Sequence, residues 1–213
     1  MIQVGSKSGL AVVLSRLEGF KSPKVRQEQY IMDSEIGASM LWNAYLLKDI
    51  EGKEIADLGC GTGLLGIGAL LLGAKQALFV DFDEKSLEIA KNNISKLKSE
   101  GYKLGKAEFI CKDIEKLEGI KADVVVQNPP FGTKIKHIDA VFLKKALETA
   151  PIVYSFHKSE TKAFLERFSA RNNARITHFF DFKFPIKATF QFHRRQIRRV
   201  NVTCFRFVKN TQH

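Results

Sequence analysis

Cysteine is scarce in this 213-residue chain: Cys60, Cys111 and Cys204 lie 51 and 93 positions apart, with no CxxC pair. That spacing argues against a disulfide framework or a zinc site and suits a reducing cytosol. The five histidines, at 137, 157, 178, 193 and 213, form no HxH or HxxxH pair, so no metal is expected. With 5 prolines, 15 glycines, 45% hydrophobic and 27% charged residues, collagen-like, low-complexity and disordered classes are excluded. The longest nearly apolar run, Leu64 to Ala74, is about half of the roughly 20 residues that a membrane helix requires. Residues 1–20 offer no basic-then-apolar leader. The expectation is a soluble, cytoplasmic chain forming one domain over 1–213, long enough to bury roughly 70% of its unfolded surface.

Acidic residues are missing from one end. Residues 1–150 carry 21 Lys and Arg against 20 Asp and Glu, whereas residues 151–213 carry 13 against 3, and none follows Asp181. Nearly all of the net +11 therefore sits in the last third. Such asymmetry points to a polyanion partner gripped by that third, or else to a solvated basic face.

What is present is an alternation of strand and helix patterns. Ser34 caps a helix to about Lys48; strands are expected at 54–58, 76–80, 107–111, 122–127 and 152–156. Helices are expected at 64–72, 84–97, 139–149 and 159–170, and two β-rich segments close the chain at 174–182 and 200–208. Val124-Val125-Val126 suits a strand buried on both faces. The pattern predicts an α/β fold with a mostly parallel, doubly wound, Rossmann-like sheet that binds its ligand at the carboxyl ends of the strands. Residues 1–33 read as an extension, with the stretch from Phe20 folding over the ligand, and 151–213 as the basic, β-rich third of the same domain.

Two motifs carry chemistry. Asp57-Leu58-Gly59-Cys60-Gly61-Thr62-Gly63-Leu64 follows a strand and opens a helix, so the backbone turns tightly and approaches a ligand without Cβ clashes. Asp81, closing the next strand, suits a pair of ribose hydroxyls. Together they specify a nucleoside-containing cofactor without saying which one. Asn128-Pro129-Pro130-Phe131 follows the buried strand, and its prolines stiffen the turn. The Asn128 side-chain oxygen and the Pro129 carbonyl can then accept both hydrogens of a planar –NH2 group while Phe131 stacks on its ring.

Here the chain resembles class I S-adenosylmethionine-dependent methyltransferases, among which [DNS]-P-P-[YFW] marks those acting on planar nitrogens. The resemblance narrows to the methyltransferase-like 5 family of small-subunit ribosomal RNA adenine-N6 methyltransferases. It rests on Glu28-Gln29-Tyr30, Ala56 to Gly61, Asp81 to Glu84, NPPFGTK from Asn128 to Lys134, Phe142 to Lys144 with Ala146 to Glu148, VYSFHK from Val153 to Lys158, and Phe192-His193, spanning about 28 to 207. It implies a seven-stranded sheet with S-adenosylmethionine as cofactor. Gln29 and Met32 would close over that cofactor, Gly59, Thr62 and Leu64 would line its methionine part, and Asp57 and Gly61 would also belong to the cofactor site. Asp81 would hold the ribose, Asp113 and Ile114 the adenine, and Asn128 to Phe131 would carry catalysis. Met32 and Thr62 depart from the threonine and cysteine of family members. Ribosomal RNA as partner would meet Lys134, His157 and Lys158, and then Lys183, Lys187, Arg194, Arg195, Arg198 and Arg199 of the basic third. The family also pairs with a small zinc-ribbon activator along a sheet edge, for which the strand 107–111 is a candidate. The alternatives are methylation of a translation-factor glutamine at N5, guanine-N2 methylation, and an idle RNA-binding module.

Overall fold

The computed structural model describes residues 2–20, 32–130, 138–187 and 197–210. Among these residues, seven strands form one sheet: β1 (Glu54–Leu58), β2 (Gln76–Asp81), β3 (Lys106–Cys111), β4 (Val124–Gln127), β5 (Ile152–Lys158), β6 (Ala174–Lys187) and β7 (Ile197–Lys209). Their spatial order is β3-β2-β1-β4-β5-β7-β6. The first five run parallel, and β7 enters antiparallel between β5 and β6. The order reverses between β1 and β4, which is where a doubly wound sheet opens its ligand crevice.

Among the described residues, six α-helices cover the sheet: α1 (Lys7–Ser15), α2 (Ser34–Leu46), α3 (Leu64–Leu71), α4 (Glu84–Ser99), α5 (Ile138–Thr149) and α6 (Lys162–Arg171). Strand alternation divides the core between them. Ile55, Phe79, Val126, Tyr154 and Phe156 pack with Leu10, Leu14, Met40, Leu41 and Leu70 of α1–α3. Ala56, Leu58, Val80, Val125 and Val153 face Leu143 and Leu147 of α5 and Leu165 of α6 on the other side. All four β4 residues are buried, as the Val-Val-Val run requires.

Several boundaries differ from the sequence reading, each for a local reason. The N-terminal segment is no mere lid: α1 is capped by Ser6 and buries Leu10, Ala11, Val13 and Leu14. Asp33, rather than Ser34, caps α2, its Oδ1 accepting from Glu35 N at 2.9 Å and Ile36 N at 3.2 Å. Residues 122 and 123 do not pair as strand. The Ala122 amide goes to Thr149 O, while Asp123 N donates to Glu54 O and Asp123 Oδ2 accepts from Glu54 N. Residues 159–161 form a 3-10 turn ahead of α6. β6 and β7 are longer than expected because an antiparallel pair satisfies its own backbone beyond the width of the sheet. The phenylalanines of β6 also divide: Phe184 is buried and Phe180 and Phe182 pack against the core, but Phe179 is exposed beneath the Lys162 ammonium, 4.4 Å from its ring centroid. Phe190 and Phe192 lie outside the described residues.

Candidate functional site

The site begins where β1 ends. Gly59 N and Cys60 N both donate to Val80 O, at 2.8 and 2.9 Å, tying the turn to β2. Gly59 has φ +67°, and a Cβ there would stand 2.8 Å from the Phe142 ring of α5, so no other residue fits. At Gly66 a Cβ would meet the Phe79 ring at 2.4 Å, and its absence lets α3 lie directly on β2. Asp57, 2% exposed, accepts from Gly66 N at 2.8 Å. Burial pushes its carboxyl up to about 7, against the lowering effect of that amide. Asp57 thus braces the loop from behind and is not open to a ligand.

Asp81 is 9% exposed at the end of β2. Its Oδ2 accepts from Gly61 N at 2.8 Å and its Oδ1 from Asp83 N at 2.9 Å. Burial raises its carboxyl above the usual range, and the two amides oppose the shift. The same carboxylate shapes the glycine turn and has lone pairs left for vicinal hydroxyls. Asp81→Ala is expected to weaken binding of S-adenosylhomocysteine by roughly 1–3 kcal/mol, about 5- to 150-fold, read by calorimetry. Unchanged affinity would remove Asp81 from the cofactor site.

Further residues converge on this edge. Met32 is buried, and its sulfur and the Leu64 side chain both crowd the Cα of Gly37, so Met32 serves as apolar packing. Asp113 follows β3, where its Oδ1 accepts from Glu115 N at 2.9 Å; Ile114 is buried among Leu58 and Val80. Two residues, Asn93 and Phe82, escaped the sequence reading, whereas Phe20 opens the stretch that was expected to fold over the ligand. Asn93 of α4 donates to Thr62 O at 3.3 Å and to Glu18 O at 3.0 Å, while accepting from Glu18 N at 2.8 Å. The Phe20 ring lies 3.3 Å from where a Gly61 Cβ would be, so the N-terminal segment reaches the glycine turn. Phe82, directly after Asp81, is 55% exposed and presents an aromatic face at the same lip. Only Phe82 left a local signal, an aromatic where the strand's burial should end.

The second motif stands beside the first. Leu58 of β1 registers with Gln127 of β4, so Gly59 and Asn128 leave neighbouring parallel strands at one level, about 4.8 Å apart. Asn128 is half-buried and Pro129 buried. Gln29, Phe131, Lys134, Arg194 and Arg195 lie outside the described residues. Lys183 is exposed on β6, opposite Asn201; Lys187 registers with Ile197, Arg198 with Ile186 and Arg199 with Pro185. Lys158 is half-buried as the last residue of β5. His157 needs correcting. It does not follow the strand but lies within β5, 1% exposed, because the strand runs on beside β7 through Lys158↔Val202, and no RNA can reach it there.

Comparison with known proteins agrees with this geometry. Residues 33–152 match the methyltransferase small domain family. An uncharacterized protein of Methanocaldococcus jannaschii is 37% identical over 95% of this chain and 94% of its own. The rRNA N(6)-adenosine-methyltransferase METTL5 of Danio rerio is 32% identical over 91% of this chain and 94% of its own. A crystal structure from Pyrococcus horikoshii, titled "a putative RNA methyltransferase", superposes with a TM-score of 0.86 at 41% identity, covering 98% of this chain and 99% of that one.

Proposed function

Since this chain belongs to the methyltransferase small domain family, we propose that it methylates N6 of an adenine in small-subunit ribosomal RNA. The observation that carries this reading is the adjacency of Asn128-Pro129-Pro130 to the glycine turn, through the Leu58↔Gln127 register. The relatives that act on rRNA N6-adenosine span nearly the whole chain, which supports the substrate class. S-adenosylmethionine, when bound, supplies an electrophilic methyl group. The glycine turn and Asp81 would hold it, with Phe82 beside its nucleoside end.

The chain's own residues then act on the base. An exocyclic amine is a poor nucleophile because its lone pair is delocalised into the ring. Asn128 Oδ1 and the Pro129 carbonyl accept its two hydrogens, which favours pyramidal nitrogen and turns the lone pair toward the neighbouring strand end. Phe131 stacks on the base. The base must leave its stack to enter this edge, so single-stranded or flipped adenine is the substrate form. The basic third grips phosphates. A small activator pairing along β3 belongs to the same proposal, supported by β3 being an outer strand. No described helix is long and apolar enough to cross a membrane.

The test is transfer of labelled methyl into ribosomal subunits followed by nucleoside analysis. N6-methyladenosine in the small-subunit RNA is expected; label in protein, or in guanine, overturns the assignment. In the same preparation, replacing Arg194, Arg195, Arg198 and Arg199 by Gln should reduce the salt slope of RNA binding by about 0.7 for each phosphate left without its cation. An unchanged slope would mean that these cations only solubilise the fold.

A further inference from the structure

A thread of buried polar side chains starts at Gln127, the residue before Asn128. Gln127, the last residue of β4, donates from Nε2 to Ser155 Oγ at 2.9 Å. Ser155 Oγ lies 2.7 Å from His157 Nε2, and His157 Nδ1 lies 3.8 Å from Asp139 Oδ2 in the first turn of α5. Gln127, Ser155 and His157 are all fully buried, and the rings of Phe205 and Phe207 flank the imidazole at 6.3 and 6.5 Å. Among the described residues, Gln127 Oε1 and His157 Nδ1 have no hydrogen-bond partner.

The Asp139 carboxylate sets the direction of the thread, because it favours a ring hydrogen on the His157 Nδ1 that faces it. The Ser155 hydroxyl has one hydrogen, and the amide of Gln127 already occupies one of its lone pairs. With the ring hydrogen on Nδ1, facing that carboxylate, His157 Nε2 is the acceptor for the Ser155 hydroxyl hydrogen. At 3.8 Å that last contact is electrostatic and too long for a hydrogen bond. Burial holds the imidazole below its ordinary range despite Asp139, so it is neutral near pH 7, while the His157 ring holds Asp139 low. Serine, histidine and aspartate in this order resemble a nucleophilic triad, but Ser155 is sealed from substrate and its hydroxyl is committed on both sides.

The value of the thread lies in what it joins. Gln127 immediately precedes Asn128, and Asp139 is the second residue of the helix that follows residues 128–137. We propose that His157 is a positioning residue for methyl transfer, linking β4 to α5 through Ser155 and Asp139 and so registering both flanks of the Asn128 segment against β5. The inference rests on the role given above to Asn128. A polar thread in a core is costly to leave incomplete, and its directional contacts admit fewer alternative alignments than apolar packing does.

The test uses the full chain, an rRNA fragment and labelled cofactor. His157→Leu is expected to lower kcat about 10- to 100-fold, with the cofactor KM and S-adenosylhomocysteine affinity within about twofold of wild type. His157→Gln, which can still meet Ser155, should lose less. Asp139→Asn should lower kcat about three- to tenfold in the wild-type background and add nothing to His157→Gln, because the two residues act through one contact. Should His157→Leu not fold, that double-mutant cycle decides alone. Wild-type kcat in the His157 variants, a loss confined to KM, or fully additive losses in the cycle would overturn the positioning role. Asn128→Ala, run in parallel, separates the two claims: full turnover there strikes the role of the Asn128 segment, whereas an inactive Asn128→Ala beside fully active His157 variants strikes only this one.

Discussion

Asn128→Ala is expected to reduce methyl transfer about 10²–10³-fold while affinity for S-adenosylhomocysteine stays within about twofold of wild type. The separation follows from where Asn128 stands. It leaves β4 beside the glycine turn, but the groups that shape that turn are Asp57, Asp81 and Val80, on β1 and β2. In the proposed mechanism, removing the amide oxygen takes away one of two acceptors for the amine hydrogens, an interaction that gains strength only as the nitrogen pyramidalises and charge develops. Such a loss falls on kcat and leaves ground-state cofactor binding alone. Single-turnover rates with saturating cofactor and RNA give the first quantity, and calorimetry gives the second. Wild-type turnover in Asn128→Ala would remove the carbonyl pair from the mechanism.

The second large effect concerns stability. Asp49 is 4% exposed just beyond α2, where it accepts from Tyr154 Oη at 2.6 Å and from Arg206 at 2.7 Å (Nε) and 3.2 Å (Nη2). Arg206 also donates to Thr177 Oγ1 at 2.8 Å and to Tyr154 Oη at 3.2 Å, with its guanidinium 6.0 Å from the Tyr154 ring centroid. Burial and the neighbouring carboxylate both push the Tyr154 phenol above its usual range, so it stays a donor. Asp49→Ala leaves a largely buried guanidinium without its counter-ion and a buried phenol without its acceptor. The expected cost is about 3 kcal/mol, at the lower end for a broken buried pair because Arg206 keeps some solvent contact. For a chain of this size that lowers Tm by roughly 6–12 °C. Combining Asp49→Leu with Arg206→Met should recover the part of the loss due to the unpaired guanidinium, while the Tyr154 phenol still lacks its acceptor. A thermal scan in which Asp49→Ala melts with the wild type would show that the network contributes nothing net.

The two networks differ in how far the sequence announces them. Gln127, Ser155 and His157 are spaced so that strand alternation alone puts Ser155 and His157 on one face of β5, yet nothing local says that this face is closed. Read locally, a histidine and a lysine ending a strand look like a solvated lip. The antiparallel entry of β7 beside β5, and the packing of Phe205 and Phe207 over that face, bury the imidazole. Asp49 and Arg206 are separated by 157 residues, and neither carries any mark of its partner. Asn93 is likewise unremarkable until α4 is brought to the glycine turn.

By itself, the sequence determined the β-α order, the strand buried on both faces, the glycine turn with its trailing acid, and the proline-stiffened segment after β4. Each is written in a short window: hydrophobic period, the φ freedom of Gly59, the rigidity of Pro129 and Pro130. Only the tertiary structure decided that α1 belongs to the core, that Asp57 faces α3 and not the open edge, and that His157 is sealed between β7 and α5. The physical reason is that burial and charge pairing are properties of surfaces brought together across long stretches of chain. A side chain's own neighbours in sequence set its conformation, but they do not reveal what will cover it.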